Sequence, residues 1–238
     1  MRTIGIIGYG SFGKFLAEKL DGQAKVVIYS RRHQPGESIF VDLTSIAEVD
    51  YLILSIPLSV YQEYLVKLKP LLNKQTVIID VCSVKVEPIK LIKRFLPNQP
   101  VIATHPLFGP ESAGESLKGH TLVICPELSD KTVTPKLIKL AKSQGLEILL
   151  ESADVHDQQM ATVHALTFFI ARALDKFDLK SHQLDTPSYK RLLYLAELDK
   201  HHSPELYATI QSGNPYAKPV RHKLLEIMIK LNSQLEPS

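Results

Sequence analysis

The run Thr104-His105-Pro106-Leu107-Phe108-Gly109-Pro110-Glu111-Ser112-Ala113 holds the residue best suited to proton transfer in this 238-residue chain. An imidazole has an unperturbed pKa of about 6.5, so His105 would take up and return a proton near neutrality. Pro106 and Pro110 restrict the residues before them to extended backbone, and Gly109 frees the chain between them. The run has neither a helical nor an alternating period, so a stiff loop is expected here rather than helix or strand. A tight turn with an idle histidine fits the same spacing, and the rest of the chain has to decide between the two.

A second group has the chemistry of phosphate binding. Gly8-Tyr9-Gly10-Ser11-Phe12-Gly13 follows the apolar stretch Thr3-Ile4-Gly5-Ile6-Ile7 and precedes a stretch with apolar residues at Phe15, Leu16 and Leu20. A glycine triplet between strand and helix lets the backbone turn tightly, approach a pyrophosphate and pack helix on strand. The helix N-terminus then offers free N–H groups and a partial positive charge. A glycine turn without ligand is the bland alternative. The next strand, Lys25 to Tyr29, ends in Ser30-Arg31-Arg32. NAD-preferring domains place a carboxylate about 20 residues after the glycines to grip the ribose 2′-hydroxyl. Here a hydroxyl and two guanidinium groups stand instead, and guanidinium matches phosphate bidentately. The expected cofactor is NADP, with NAD the weaker choice; solvated arginines are the bland alternative.

Further strand patterns occur at Tyr51–Ser55, Val77–Val81, Val101–Ala103, Val123–Cys125 and Glu147–Leu150, with helical spacing over 61–72 and 135–143. This βαβ alternation with nearly continuous apolar strands predicts a Rossmann-type, doubly wound, mostly parallel sheet over residues 1–150. Ser55-Ile56-Pro57 and Cys82-Ser83-Val84-Lys85 fall just past strand ends, on the edge expected to carry His105. There Ser83 could donate a hydrogen bond and Lys85 could attract an anionic substrate. Alternatively, Ser83 caps a helix beginning near Glu87.

After Leu150 the pattern becomes helical throughout: one long helix from Asp154 to about Phe177, then helices over 189–198, 204–211 and 219–231. A tail of this size, 151–238, is small for an independent core, so a helical dimerisation domain and a homodimer are expected. His156, Asp157 and Gln159 open the long helix, with His164 two turns on, roughly on the same face. No common metal spacing results, so no metal is expected. His156 either lines a cleft or is a plain helix-start histidine, and His201-His202 is expected in an exposed polar loop. The charge of +3, two cysteines without metal or redox spacing, and the lack of a signal peptide or of a long apolar run point away from nucleic acid and membranes and towards a reducing cytoplasm.

With these residues placed, the chain resembles the prephenate/arogenate dehydrogenase family of tyrosine biosynthesis over nearly its whole length. The similarity rests on Gly8-x-Gly10-x-x-Gly13, Ser83-Val84-Lys85, the His105 run through Ser112, and His156-Asp157. Ile4 to Gly10 and Ser30-Arg31 are especially similar to plant-type arogenate enzymes that use NADP. The resemblance implies oxidative decarboxylation of arogenate or prephenate, with His105 accepting the hydroxyl proton and Ser83 bonding the same hydroxyl or the nicotinamide carboxamide. It implies cofactor contacts from Gly8, Tyr9, Gly10, Ser11, Phe12, Gly13, Ser30, Arg31, Arg32, Ser55, Ile56 and Pro57. Substrate contacts are implied for Lys85, Gly109, Pro110, Glu111, Ser112, His156, Gln159, His164, Lys190 and Tyr194.

Two departures bear on the substrate. The Ser-His-Leu-Pro-His run of many bacterial prephenate enzymes reads His164-Ala165-Leu166-Thr167-Phe168 here, and Tyr194 stands where an arginine or an acidic residue is expected. Lys190 or Arg191 could supply the cation, and the balance leans slightly to arogenate. On this resemblance the chain is expected to end early for the family, without an appended regulatory domain. An imine or pyrroline-carboxylate type reductase would share the glycine loop and the basic strand end but not the His105 run. A cofactor-binding sensor without turnover is the non-enzymatic alternative.

Overall fold

A computed structural model describes residues 2–128, 130–200 and 202–235, leaving aside the side chain of Asp199. The backbone divides into two compact units, 1–154 and 155–238.

In the first unit β1 (Thr3–Ile7) leads into α1 (Ser11–Leu20), and β2 (Lys25–Tyr29) is followed by the single turn α2 (Leu43–Ile46). Then come β3 (Tyr51–Leu54), α3 (Tyr61–Leu68), β4 (Val77–Asp80), α4 (Val86–Phe95), β5 (Val101–Pro106) and the single turn α5 (Pro110–Ala113). β6 (Thr121–Cys125), α6 (Thr134–Ser143) and β7 (Glu147–Leu150) complete a seven-stranded sheet of order β2-β1-β3-β4-β5-β6-β7. β1 to β5 are mutually parallel, β6 runs antiparallel to β5, and β7 is parallel to β6. Strand order reverses at β1, so a crevice opens above the C-terminal ends of β1 and β3, where open α/β sheets bind ligands.

The strands are apolar at consecutive positions because both faces are covered. Ile7, Leu52 and Leu54 pack with Tyr61, Leu65, Leu68 and Ile92 from α3 and α4. Their neighbours Ile6, Ile28 and Ile53 pack on the other face with Leu16 and Leu20 of α1. Ile6 and Ile7 both have 0% exposure, and each such burial contributes about 1.5–3 kcal/mol. A one-residue slip of β1 would exchange the two faces and destroy both sets of contacts.

The second unit continues α7 (Ala153–Met160) through a π-helical stretch, Ala161–Leu166, into α8 (Thr167–Lys176). The long helix expected over 154–177 is present, with this one interruption. There the backbone ladder widens to i→i+5, and the side-chain amide of Gln211 donates to the carbonyl of Ala165 at 2.7 Å. α9 (Pro187–Lys200), α10 (Pro204–Ser212) and α11 (Ala217–Ser233) follow. Ser203 caps α10, its hydroxyl accepting from the Leu206 N–H at 3.2 Å, and the Arg172 guanidinium lies 3.5 Å from the Tyr207 ring centroid. Among the described residues no helix is long and apolar enough to cross a membrane.

Candidate active site at the sheet edge

The glycine loop is closely packed at Gly8 and Gly13 and open at Gly10. Gly8 has φ +103, and a Cβ there would stand 2.0 Å from the carbonyl oxygen of Ser55 at the end of β3. A Cβ on Gly13 would stand 2.2 Å from the Gly8 carbonyl oxygen, so α1 can sit down on the loop only with glycine here. A Cβ on Gly10 would meet nothing within 4 Å. Gly10 is the N-cap of α1, its carbonyl already accepting from Lys14 N at 2.9 Å, and the first turn holds no acidic side chain. The first-turn N–H groups of Ser11, Phe12 and Gly13 lack intrahelical partners. Open space at Gly10, free donors and no competing carboxylate fit the pyrophosphate of a dinucleotide. Ser55-Ile56-Pro57 forms the opposite lip, Ser55 N donating to the Ile7 carbonyl at 2.9 Å.

At the end of β2, Arg31 and Arg32 are exposed, and the Ser30 hydroxyl accepts from Arg32 N at 3.3 Å. The Arg31 charge reaches α3. It adds to the hydrogen bond and charge of Lys67 that lower the Glu63 carboxyl, and it opposes the burial that pushes the Tyr64 phenol up to about 12. The loop after β2 brings two rings not expected from the sequence, His33 and Phe40, against Tyr9 of the glycine loop. His33 stacks on Phe40 at 4.0 Å and 6°, and Tyr9 meets both edge-on at 5.5 and 5.1 Å.

His105 lies inside the sheet rather than on a loop. β5 runs through Pro106, and His105 pairs with Val123 of β6 with 5% of its surface exposed. The prolines allow this because each stands where an N–H is dispensable, Pro106 as the last residue of a strand and Pro110 as the first of a helical turn. The expected loop is thus confined to Leu107-Phe108-Gly109. The Gly109 N–H donates to the Ser112 hydroxyl at 3.0 Å, which closes the turn that carries Pro110 and Glu111. Lys19 of α1 donates to the carbonyls of Gly114 and Glu115 at 2.9 and 2.8 Å, and Phe108 packs near Phe15. This segment is therefore tied to the helix that starts at the glycine loop.

Ser83 lies part-exposed between β4 and α4. It does not cap α4, whose N-cap is Lys85 with no side-chain cap. Lys85 is not placed to meet a substrate anion: it is fully buried, its ammonium paired with Asp80 and donating to the Thr104 carbonyl oxygen. The four-carbon stem of a residue expected at the surface is folded inward because a carboxylate waits there. Asp80 also accepts from Tyr61 Oη at 2.5 Å and from Cys82 N at 3.0 Å, while Thr104 Oγ1 donates to the Asp80 carbonyl at 2.7 Å. Burial first, then the Asp80 charge and Cys82, push the Tyr61 phenol well up. The signal for this network was the lone Asp80 at the end of an apolar strand.

In the second unit His156 and Asp157 are both buried, Nδ1 and Oδ1 2.8 Å apart, and Asn214 donates to the Asp157 carbonyl at 2.7 Å. His156 is thus a packed, partnered side chain. His164, in the π-helical stretch, is held down to about 4 by burial, then by His202 and His156. Phe168 meets His164 at 4.9 Å and His202 at 4.5 Å. His202 is part-buried rather than exposed, its Nδ1 2.7 Å from the Leu198 carbonyl oxygen; His201 lies outside the described residues. Gln159, Lys190, Arg191 and Tyr194 are exposed.

Comparison with known proteins places this geometry. Residues 32–149 match the family model "Prephenate dehydrogenase, nucleotide-binding domain", and 173–238 match "TYRAAT1-like, C-terminal domain". The chain is 29% identical to arogenate dehydrogenase 1, chloroplastic, of Arabidopsis thaliana over 98% of its own length and 39% of that protein. It is 25% identical to a probable arogenate/prephenate dehydrogenase of Methanocaldococcus jannaschii, over 94% of this chain and 54% of that protein. It therefore spans less than two thirds of the length of these curated relatives. A crystal structure of prephenate dehydrogenase from A. aeolicus, in complex with hydroxyphenyl propionate and NAD+, superposes with TM-score 0.75 at 19% identity, covering 98% of this chain and 91% of that one. At that identity the likeness is one of fold.

Proposed function

We propose that the chain, similar to the prephenate/arogenate dehydrogenases in its nucleotide-binding region and to plant arogenate dehydrogenases along its length, is a member of that family and carries out NADP-dependent oxidative decarboxylation of arogenate, prephenate or both. The observation that carries this reading is the arrangement of one edge of the first unit. His105 is the penultimate residue of β5 and Ser83 follows β4, on the sheet edge where the glycine loop and the Ser30-Arg31-Arg32 corner follow β1 and β2.

Gly8, Gly10 and Gly13 with the first turn of α1 would hold the cofactor's pyrophosphate, and Arg31 and Arg32 its 2′-phosphate. When bound, the nicotinamide supplies the acceptor for a hydride from the ring carbon that bears the 4-hydroxyl. His105 takes the hydroxyl proton, and Ser83 hydrogen-bonds the same hydroxyl or the carboxamide. Loss of the carboxylate as CO2 leaves its electron pair in the ring, which becomes aromatic as a phenolate. The protonated imidazole then returns its proton to that oxygen, so the histidine finishes as it began. His156, Gln159, His164, Lys190 or Arg191, and Tyr194 are the candidates for the remaining substrate contacts. The helical unit is proposed to pair with a second copy.

The test is NADPH formation, followed by absorbance, with arogenate and prephenate side by side and NADP and NAD as alternatives. Turnover of either substrate with NADP as the better cofactor supports the reading. Cofactor binding without turnover of either would overturn it.

A further inference from the structure

Tyr61, Asp80, Lys85 and Thr104 form a polar network on which no role has yet been placed. All four are essentially fully buried, at 0–1% exposure. A buried ion pair yields little net stability, since desolvation offsets most of the attraction, and apolar residues of similar volume would serve a core as well. What this network does is geometric. The Asp80 carboxylate fixes the loop after β4 at two points, Cys82 N and the Lys85 ammonium. Lys85 and the Thr104 hydroxyl then fasten that loop and strand to the backbone immediately before His105. Tyr61 ties the carboxylate to α3. Ser83 lies between the two anchored positions of its loop, so its placement relative to His105 is set by groups that never reach the crevice.

We propose that Lys85, acting with Asp80 and Thr104, is the positioning device that holds Ser83 and His105 in mutual register for proton transfer. The inference rests on the function proposed above. It differs from a substrate-binding lysine, which would have to be exposed, and from a simple counter-ion, which would need no bond to Thr104.

The test uses the whole chain. Lys85→Met strands the Asp80 carboxylate and lowers the melting temperature. Lys85→Met with Asp80→Asn removes both charges and recovers most of that temperature. Both keep NADP affinity within about twofold, and both lose about tenfold or more in kcat, since small misplacements of reacting groups are costly. A purely structural role would return kcat together with the melting temperature. The second readout is the His105 imidazole resonance, assigned by its loss in His105→Asn. It is one sharp set in the wild type and broadened or doubled in the double variant. Thr104→Val, nearly isosteric, removes only the Oγ1 bond and shows both effects in smaller measure. It decides the matter if the charge variants do not fold. A double variant with wild-type kcat and an unchanged His105 signal overturns the proposal. If the wild type turns over neither substrate, the functional reading fails and the His105 spectra alone decide: unchanged spectra overturn this inference too.

Discussion

His105 and Arg31 carry the two claims that single substitutions can break. His105 is buried at the end of β5, with its backbone paired to β6, so its side chain is presented by strand geometry rather than by a mobile loop. His105→Asn keeps a hydrogen-bonding group of similar reach and removes the base. The expected loss in kcat is about 10²–10⁴-fold, with cofactor affinity unchanged because the glycine loop is untouched. The wild-type kcat falls at low pH as one group takes up a proton, and the variant loses that limb. A folded variant with near wild-type kcat would refute the role. Arg31 stands exposed beyond β2, and its proposed partner is the 2′-phosphate, which NADP carries and NAD lacks. Arg31→Ala is therefore expected to weaken NADP by roughly ten- to a hundredfold, the worth of one charge-assisted contact of about 1.5–3 kcal/mol, and to leave NAD unaltered. Titrating both cofactors into both proteins checks this, and tighter wild-type binding of NAD than of NADP would sink the claim.

At the scale of elements, the π-helical stretch Ala161–Leu166 carries a titratable group. Its His164 is held at about 4 by burial first, then by the charges of His202 and His156. An unfolded chain, with the ordinary value near 6.5, binds more protons there, so stability rises with pH across this window. The contribution of His164 is complete above about pH 6.5 and is lost as pH falls towards 4. After allowance for its part-exposed ring, melts at pH 5 and pH 7.5 are expected to show a loss on the order of 1 kcal/mol. His164→Gln removes that share of the slope, and equal slopes in the two proteins would refute it. The same scale shows what a sequence reveals. The glycine loop and the βαβ alternation are legible because each is written in a few neighbouring residues: an apolar run, a glycine spacing, a helical period. The direction of β6 is not, since an apolar run such as Leu122 to Cys125 reads the same in either sense. The burial of Lys85 was also hidden. Its partner Asp80 is near in sequence, but the bond to Thr104 arises only when β5 lies beside β4. The Ala165 carbonyl in the π stretch likewise meets its partner Gln211 from far along the chain.

For the molecule as a whole, assembly turns on the apolar side chains that α11 presents. Leu225, Met228 and Ile229 are 43%, 56% and 70% exposed, and Leu231 and Leu235 add 55% and 84%. Leu225, Met228 and Ile229 fall at spacings of three and four along α11, so their exposed atoms lie on one face of the helix. Among the described residues of the second unit, 84 residues by its bounds at 155 and 238, the buried apolar side chains are small ones for the most part, Ala161, Ala165, Ala171, Ala196, Ile210 and Ala217. A unit of that size with such small buried side chains gains most from burying this face against its own copy, since a two-fold interface needs only one self-complementary surface. The chain is therefore expected to sediment as a dimer at micromolar concentration. Placing charge on this face by Met228→Glu with Ile229→Glu should shift it to monomer without unfolding the first unit. NADP affinity should survive in that variant, because the glycine loop and the Arg pair lie wholly in the first unit. Whether turnover survives separates two arrangements. Loss of kcat on dissociation indicates a crevice completed by the second copy, and retained kcat indicates one complete in each chain. A wild type that sediments as a monomer with full activity would refute the assembly outright.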